Sequence, residues 1–442
     1  MGSKALPVIA AGILVGVTVV LVSSNLREFS TASYLVLFVG VALFLAAVAK
    51  KKHPDALSPV MLMSVGWLVP VVLHSLDLSH VYLAQLRAET WLVIIGTFLL
   101  FNIGCFLLIG QNNTRLVQQC KIHSVAAARR NTLPKLRLSY FLYGYFAVGV
   151  GAWLYKVSTL GGTSSLPLLS AEPDTVRWQQ PPKIVGQFPV LLLVVMLLCL
   201  VCWDERGIKD NKRLIPIFAI SLIPWALETA RSSLYQVILT GMLYWALRRG
   251  RIPKKWLAVV AAGCLSFFIL ITTQRANRAP GFTMDLSVDA VRLPRPLAMP
   301  YMYLTESLTN LQLNLEAGRS VFEGGGVRTF APILSWLQIR KTPQFRNYLS
   351  YWPGGISVYQ ADLYIDFGLA GLILGPLLIG IMCGWAYRWS RVQQTALGAM
   401  TYAVLGVCVL TSGFVNWFNS PTSLFFLILI PPALWRPGFS TV

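Results

Sequence analysis

The sequence predicts an all-α polytopic membrane protein with about twelve transmembrane helices and one large extracytoplasmic loop. Three observations carry that prediction. Hydrophobic residues make up 55% of the chain and charged residues only 12%, against about 25% charged in soluble domains. Apolar runs close to the ~20 residues that cross a bilayer recur throughout. The basic residues between those runs alternate from one connection to the next, as the positive-inside rule requires.

The spans fall at 6–23, 33–49, 58–76, 90–110, 138–158, 184–203, 214–228, 232–247, 256–273, 366–387, 395–412 and 415–434. The first is too long for a signal-peptide core and lacks a small-residue cleavage site, so it is read as a retained span. The even-numbered connections hold Lys50, Lys51 and Lys52; Arg115, Lys121, Arg129, Arg130, Lys135 and Arg137; Arg206, Lys209, Lys212 and Arg213; Arg248, Arg249, Arg251, Lys254 and Lys255; and Arg388 and Arg391. These are 20 of the 37 Lys and Arg residues. Both termini are therefore expected in the cytoplasm, with 159–183 and 274–357 on the outer side. The chain divides into helices 1–9 (1–273), an outer loop (274–357) and helices 10–12 (358–442).

The net charge of +20 follows this one-sided distribution and so points away from nucleic acid. The seven cysteines lie in or beside apolar runs, which suggests neither a disulfide framework nor a metal site. Only His53, His74, His80 and His123 are present, and His74 and His80 sit at the outer end of the third span without a metal partner in the sequence. No DxD-like pair occurs, so a metal-dependent nucleotide-sugar transferase is not expected.

The outer segment carries eight Arg and one Lys against five acids. Guanidinium offers a planar fork that fits phosphate oxygens, so the arginines as a set point to an anionic ligand, although each alone suits a solvated loop. A Gly-rich turn, EGGGVR, ends at Arg328. The stretch 214–247 is short for two full spans, so its tip, with Glu228 and Arg231, is expected below the outer surface. There the two residues either neutralise each other or face a polar cavity. At the re-entry, Tyr359, Asp362 and Asp366 share one face if 359–367 is helical. The carboxylates are then either helix-dipole partners or a base and a hydroxyl-orienting group. Asp366-Phe367-Gly368 is not a kinase signal, because no phosphate loop or catalytic lysine accompanies it.

Taken in order, these features resemble the Wzy-type oligosaccharide repeat-unit (O-antigen) polymerases of bacterial envelopes. The resemblance covers roughly 216–389. It rests on the hairpin tip Glu228-Thr-Ala-Arg231-Ser-Ser, on Arg275 and Arg278 after the next helix, on the large loop, and on the Y-x-D-F-G-x-x-G re-entry (Tyr364, Asp366, Phe367, Gly368, Gly371). It implies a cofactor-free, metal-independent glycosyltransferase of GT-C architecture in the bacterial inner membrane. Such an enzyme transfers a glycan en bloc from undecaprenyl diphosphate to another lipid-linked repeat unit. A Wzz-type chain-length regulator would be its partner and a flippase would supply its units. By the same resemblance Arg231, Arg275 and Arg278 would hold the diphosphate, with Arg319 and Arg328 as loop candidates. Glu228, Asp362 and Asp366 are the candidates for the base. Ligases of this class use a loop His that 274–357 lacks. The alternatives are an O-antigen ligase or a lipid-linked oligosaccharide transporter. The latter is disfavoured by the absence of internal repeats.

Overall fold

In the computed structural model the described residues are 31–52, 55–78, 85–109, 135–159, 162, 188–227, 231–250, 262–263, 266, 292–318, 325–336 and 358–434, and regular structure among them is helical throughout. The helices are α1 (Thr31–Lys52), α2 (Pro59–Ser75), α3 (Ala88–Ile109), α4 (Lys135–Thr159), α5 (Leu191–Arg206), α6 (Leu214–Leu227), α7 (Arg231–Arg249), α8 (Arg295–Ala317), α9 (Ala331–Trp336), α10 (Tyr359–Gln393), α11 (Ala396–Thr411) and α12 (Pro421–Leu434). Among the described residues, four stretches are long and apolar enough to cross a membrane: Thr31–Lys50, Ala88–Ile109, Phe188–Arg206 and Tyr359–Gln393. The expected span 6–23 lies outside the described residues, as does nearly all of 256–273.

Polarity is distributed as lipid demands. Leu369 and Leu378 on α10 stand 69% and 60% exposed, while Glu306, Arg328, Asp362 and Asp366 are buried. In water that arrangement would be costly on both counts; in hydrocarbon it is the stable one. The chain is thus a helical membrane protein, and it divides into two compact units.

The first unit comprises Met1–Val117, Thr283–Val392 and Cys408–Ser420. α2 starts at Ser58, whose hydroxyl accepts from the Met61 N–H, and Pro59 occupies the position where a missing N–H costs nothing. Tyr34 of α1 stacks on Trp91 of α3 with centroids 5.9 Å apart, and Phe38 meets Phe98 edge-on at 5.3 Å. α3 and α10 cross backbone to backbone. A Cβ on Gly104 would lie 2.3 Å from the Leu377 carbonyl, and one on Gly380 2.1 Å from the Phe101 carbonyl. Where lipid removes the hydrophobic drive between helices, such small-residue crossings supply close packing instead.

The segment read from sequence as a polar loop contains α8, a helix of 23 residues. Its middle is buried on nearly every side, through apolar Tyr301, Met302, Leu308 and Leu311 and polar Thr305, Glu306, Ser307, Thr309, Asn310, Gln312 and Asn314. Glu306, Asn310 and Asn314 recur every fourth residue and so form one row. Asn310 donates to Glu306 at 3.1 Å, and the Asn314 amide donates to the Asn310 carbonyl at 2.5 Å. Polar cross-links fix α8 to the connection between α2 and α3. Leu78 N–H donates to the Tyr301 hydroxyl, Arg87 N–H to Gln312, and Arg87 pairs with Glu316 at 3.0 Å. His74 sits 3.2 Å from the Thr309 hydroxyl. Elsewhere in this unit Asp55 accepts from the Tyr387 hydroxyl at 2.8 Å and from Arg391.

The second unit comprises Gln118–Phe282, Gln393–Val407 and Pro421–Val442, so α11 is shared between the two. α5 is its centre: Leu191 to Cys199 are buried without interruption, because α4, α6, α7 and α12 all pack on it. α6 and α7 are the short hairpin expected from the sequence. α6 has 14 residues, about 21 Å at 1.5 Å per residue, less than the ~30 Å hydrocarbon core. At the other end of α7, Arg248 grips Asp204 at 3.0 Å and Glu205 at 2.6 Å, and Arg249 takes the second oxygen of Asp204. The Tyr244 hydroxyl also donates to Asp204.

Helix contacts within this unit are softer. A Cβ on Gly241 would meet only the terminal methyl of Leu200, at 2.7 Å. That methyl can rotate away, and alanine is the better helix former. Gly241→Ala is therefore expected to change stability by less than about 1 kcal/mol, read as an unchanged thermal midpoint of the purified protein in detergent.

Candidate functional site

The site is built where α10 breaks. Residues 359–367 are helical, as the shared-face argument supposed. Gly368 then takes φ 63°, ψ −144°, and the helix restarts in a new direction. The bend is tight. In an unbroken helix Leu363 and Gly371 would be about 12 Å apart. Here a Cβ on Gly371 would lie 2.2 Å from the Leu363 carbonyl oxygen, and one on Gly375 2.4 Å from the Leu363 side chain. The two legs therefore lie against each other. Each glycine of the Y-x-D-F-G-x-x-G sequence has a separate cause. Gly368 adopts a backbone that a side chain disfavours, and Gly371 leaves room for the returning leg.

The bend also frees the last carbonyls of the first leg from their helical partners. The Asp366 carbonyl accepts instead from the Gly325 N–H at 3.1 Å. Gly325 belongs to the Gly-rich turn, where Gly325 and Gly326 both have positive φ (88° and 87°). The Asp366 carboxylate completes the attachment. One oxygen accepts from the Arg328 N–H at 3.3 Å. The other accepts from the Thr329 N–H at 2.6 Å and the Thr329 hydroxyl at 2.7 Å. The Phe367 ring lies against Gly326, 3.5 Å from where a Cβ would be. Asp, Phe and Gly of the triplet thus hold, cover and bend, and the two sequence signals 323–328 and 364–371 are two sides of one contact.

Asp362 lies one turn back on the same face as Asp366. Like charges at that spacing repel, and the structure gives each carboxylate its own donors. Asp362 Oδ2 accepts from the Asn416 amide at 2.6 Å and the Asn419 amide at 3.0 Å. Both asparagines belong to the link between α11 and α12. Tyr359, at the head of the leg, meets Phe418 of that link edge-on, with centroids 5.8 Å apart. Gln360 donates to the Thr97 hydroxyl of α3 at 3.2 Å. Asp366 is 0% exposed, Asp362 2% and Arg328 4%.

Of the eight residues singled out from sequence, Arg328, Asp362 and Asp366 come together here. Glu228, Arg275, Arg278 and Arg319 lie outside the described residues. Arg231 opens α7, and its side chain is outside them too. Thr329, Asn416 and Asn419 were not anticipated. The pair of asparagines three residues apart (NWFN) behind an apolar run was the signal available for the last two.

No family model, no curated protein and no solved structure matches this chain.

Proposed function

We propose that this chain polymerises undecaprenyl-diphosphate-linked oligosaccharide repeat units at the outer face of a bacterial inner membrane. It passes the growing glycan en bloc to a lipid-linked acceptor and releases undecaprenyl diphosphate. The observation that carries this reading is the buried Arg328, held on a turn that is clamped to a broken membrane helix by Asp366. An arginine sequestered among membrane helices is expensive and is characteristic of a functional site. Pre-positioned guanidinium is what a departing diphosphate needs, since its charge grows as the glycosidic bond breaks. Arg231, Arg275, Arg278 and Arg319 complete the basic set in this reading. Asp362 is the carboxylate we assign to the acceptor hydroxyl. Asp366, with three donors on it, serves the turn.

The proposed architecture is of GT-C type with twelve spans and both termini cytoplasmic. The internal pairings support it: the odd-numbered connection 77–87 joins the 292–316 stretch of the outer segment, while Asp55 of an even-numbered connection joins Tyr387 and Arg391. A chain-length-regulating co-polymerase is the partner proposed.

The test is a glycan ladder. The gene is deleted in its host and restored as wild type or Arg328→Ala at matched membrane levels, and the envelope glycan is resolved on a gel. The expected result is single repeat units in the deletion strain, a full ladder with wild type, and a drop of about 100-fold or more in polymer with Arg328→Ala. A ladder that survives deletion overturns the reading. Polymer accumulating on undecaprenyl diphosphate but absent from the lipid A core would make the chain a ligase.

A further inference from the structure

Arg328 is gripped on both sides of its own peptide. Its N–H donates to Asp366, and its carbonyl accepts from the Asn419 amide at 3.4 Å. That same amide nitrogen donates to Asp362 at 3.0 Å. Asn419 thus spends its two N–H groups on acceptors from two different elements, the first leg of α10 and the Gly-rich turn. Asn416 reinforces the arrangement. Its side-chain oxygen accepts from the Phe418 N–H at 3.1 Å, which closes a tight turn and leaves its NH2 aimed at Asp362. A carboxylate on one side and a carbonyl on the other call for a neutral double donor. Aspartate would present acceptors to acceptors, and an apolar residue would take a donor from each, leaving Asp362 with that of Asn416.

We infer that Asn419, supported by Asn416, is a positioning residue for the diphosphate site: it sets where the Arg328 turn stands relative to the Asp362 leg. This rests on the polymerase reading. Asn419 acts through Arg328 and Asp362. Its effect should appear in the step that develops charge, not in the binding of substrate.

The experiment is a double-mutant cycle in membranes carrying the full chain, with a lipid-linked repeat unit supplied as substrate and chain extension timed. Arg328→Lys keeps the charge while losing the guanidinium fork, and is expected to retain measurable activity. Asn419→Ser keeps one donor and is the variant of choice should Asn419→Leu fail to accumulate. The expected result is that Asn419→Ser lowers kcat about tenfold with KM within about threefold. Combined with Arg328→Lys, it lowers kcat no further than the worse single variant. Asn419→Gln, which can still offer two N–H groups, is expected to recover part of the loss. Independent, multiplicative losses overturn the inference, as does a change confined to KM. An intact ladder after gene deletion overturns instead the polymerase reading on which it rests, so the two failures are told apart.

Discussion

Gly371→Ala is expected to destabilise the protein by about 3 kcal/mol or more, at the upper end of what one added methyl does in a packed core. The cause is specific. The new Cβ would stand 2.2 Å from the Leu363 carbonyl oxygen and 2.9 Å from the Phe367 Cβ. Neither neighbour is the loose end of a side chain, so the legs of α10 must separate. That movement would carry Asp366 away from Arg328 and Thr329, so activity should fall with stability. Thermal unfolding in detergent reads the first effect and the glycan ladder the second. Gly40→Ala is the control, because a Cβ there meets nothing within 4 Å. Gain in helix propensity should leave that variant as stable as the parent or slightly more so. Equal midpoints for the two variants would show that the legs do not touch.

Asp366→Ala is the second large effect. It removes the carboxylate that accepts from the N–H groups of both Arg328 and Thr329. Stranding buried donors costs about 1–3 kcal/mol each, so a loss of roughly 3–5 kcal/mol is expected. Asp366→Asn should be nearly as harmful, since its NH2 would face one of those same N–H groups. Both are expected to abolish the ladder. The measurement is the thermal midpoint alongside polymer length. A stable Asp366→Asn protein with a full ladder would mean that the turn holds itself, through Gly325 and its own backbone.

The helical membrane class was legible from composition, and the positions of α1–α7, α11 and α12 from apolar runs, because hydrocarbon imposes a length on every span that crosses it. α8 was not legible by that rule. Its row of Glu306, Asn310 and Asn314 is polar and buried against protein, so hydropathy counts it as loop. Its four-residue repeat was nonetheless there to be read. The re-entry was legible as a motif, but the reason for it was not. That Asp366 and the glycines of 323–328 belong to one contact depends on a bend at Gly368 that no periodicity encodes. Asn416 and Asn419 were invisible for a different reason. Their partners are distant in sequence, and an asparagine in an interhelical link has many ordinary explanations.

The two carboxylates of the first α10 leg differ in when their partners are made. Those of Asp366 precede it by 37 and 38 residues, so they have already left the ribosome when it emerges. Those of Asp362 follow by 54 and 57 residues, beyond the whole of α11. During synthesis the leg can therefore close onto the Gly-rich turn before the asparagines of the last connection reach Asp362. Chains stalled before residue 416 should hold the first clamp without the second, which makes completion of the C-terminal link the final step in assembling the site.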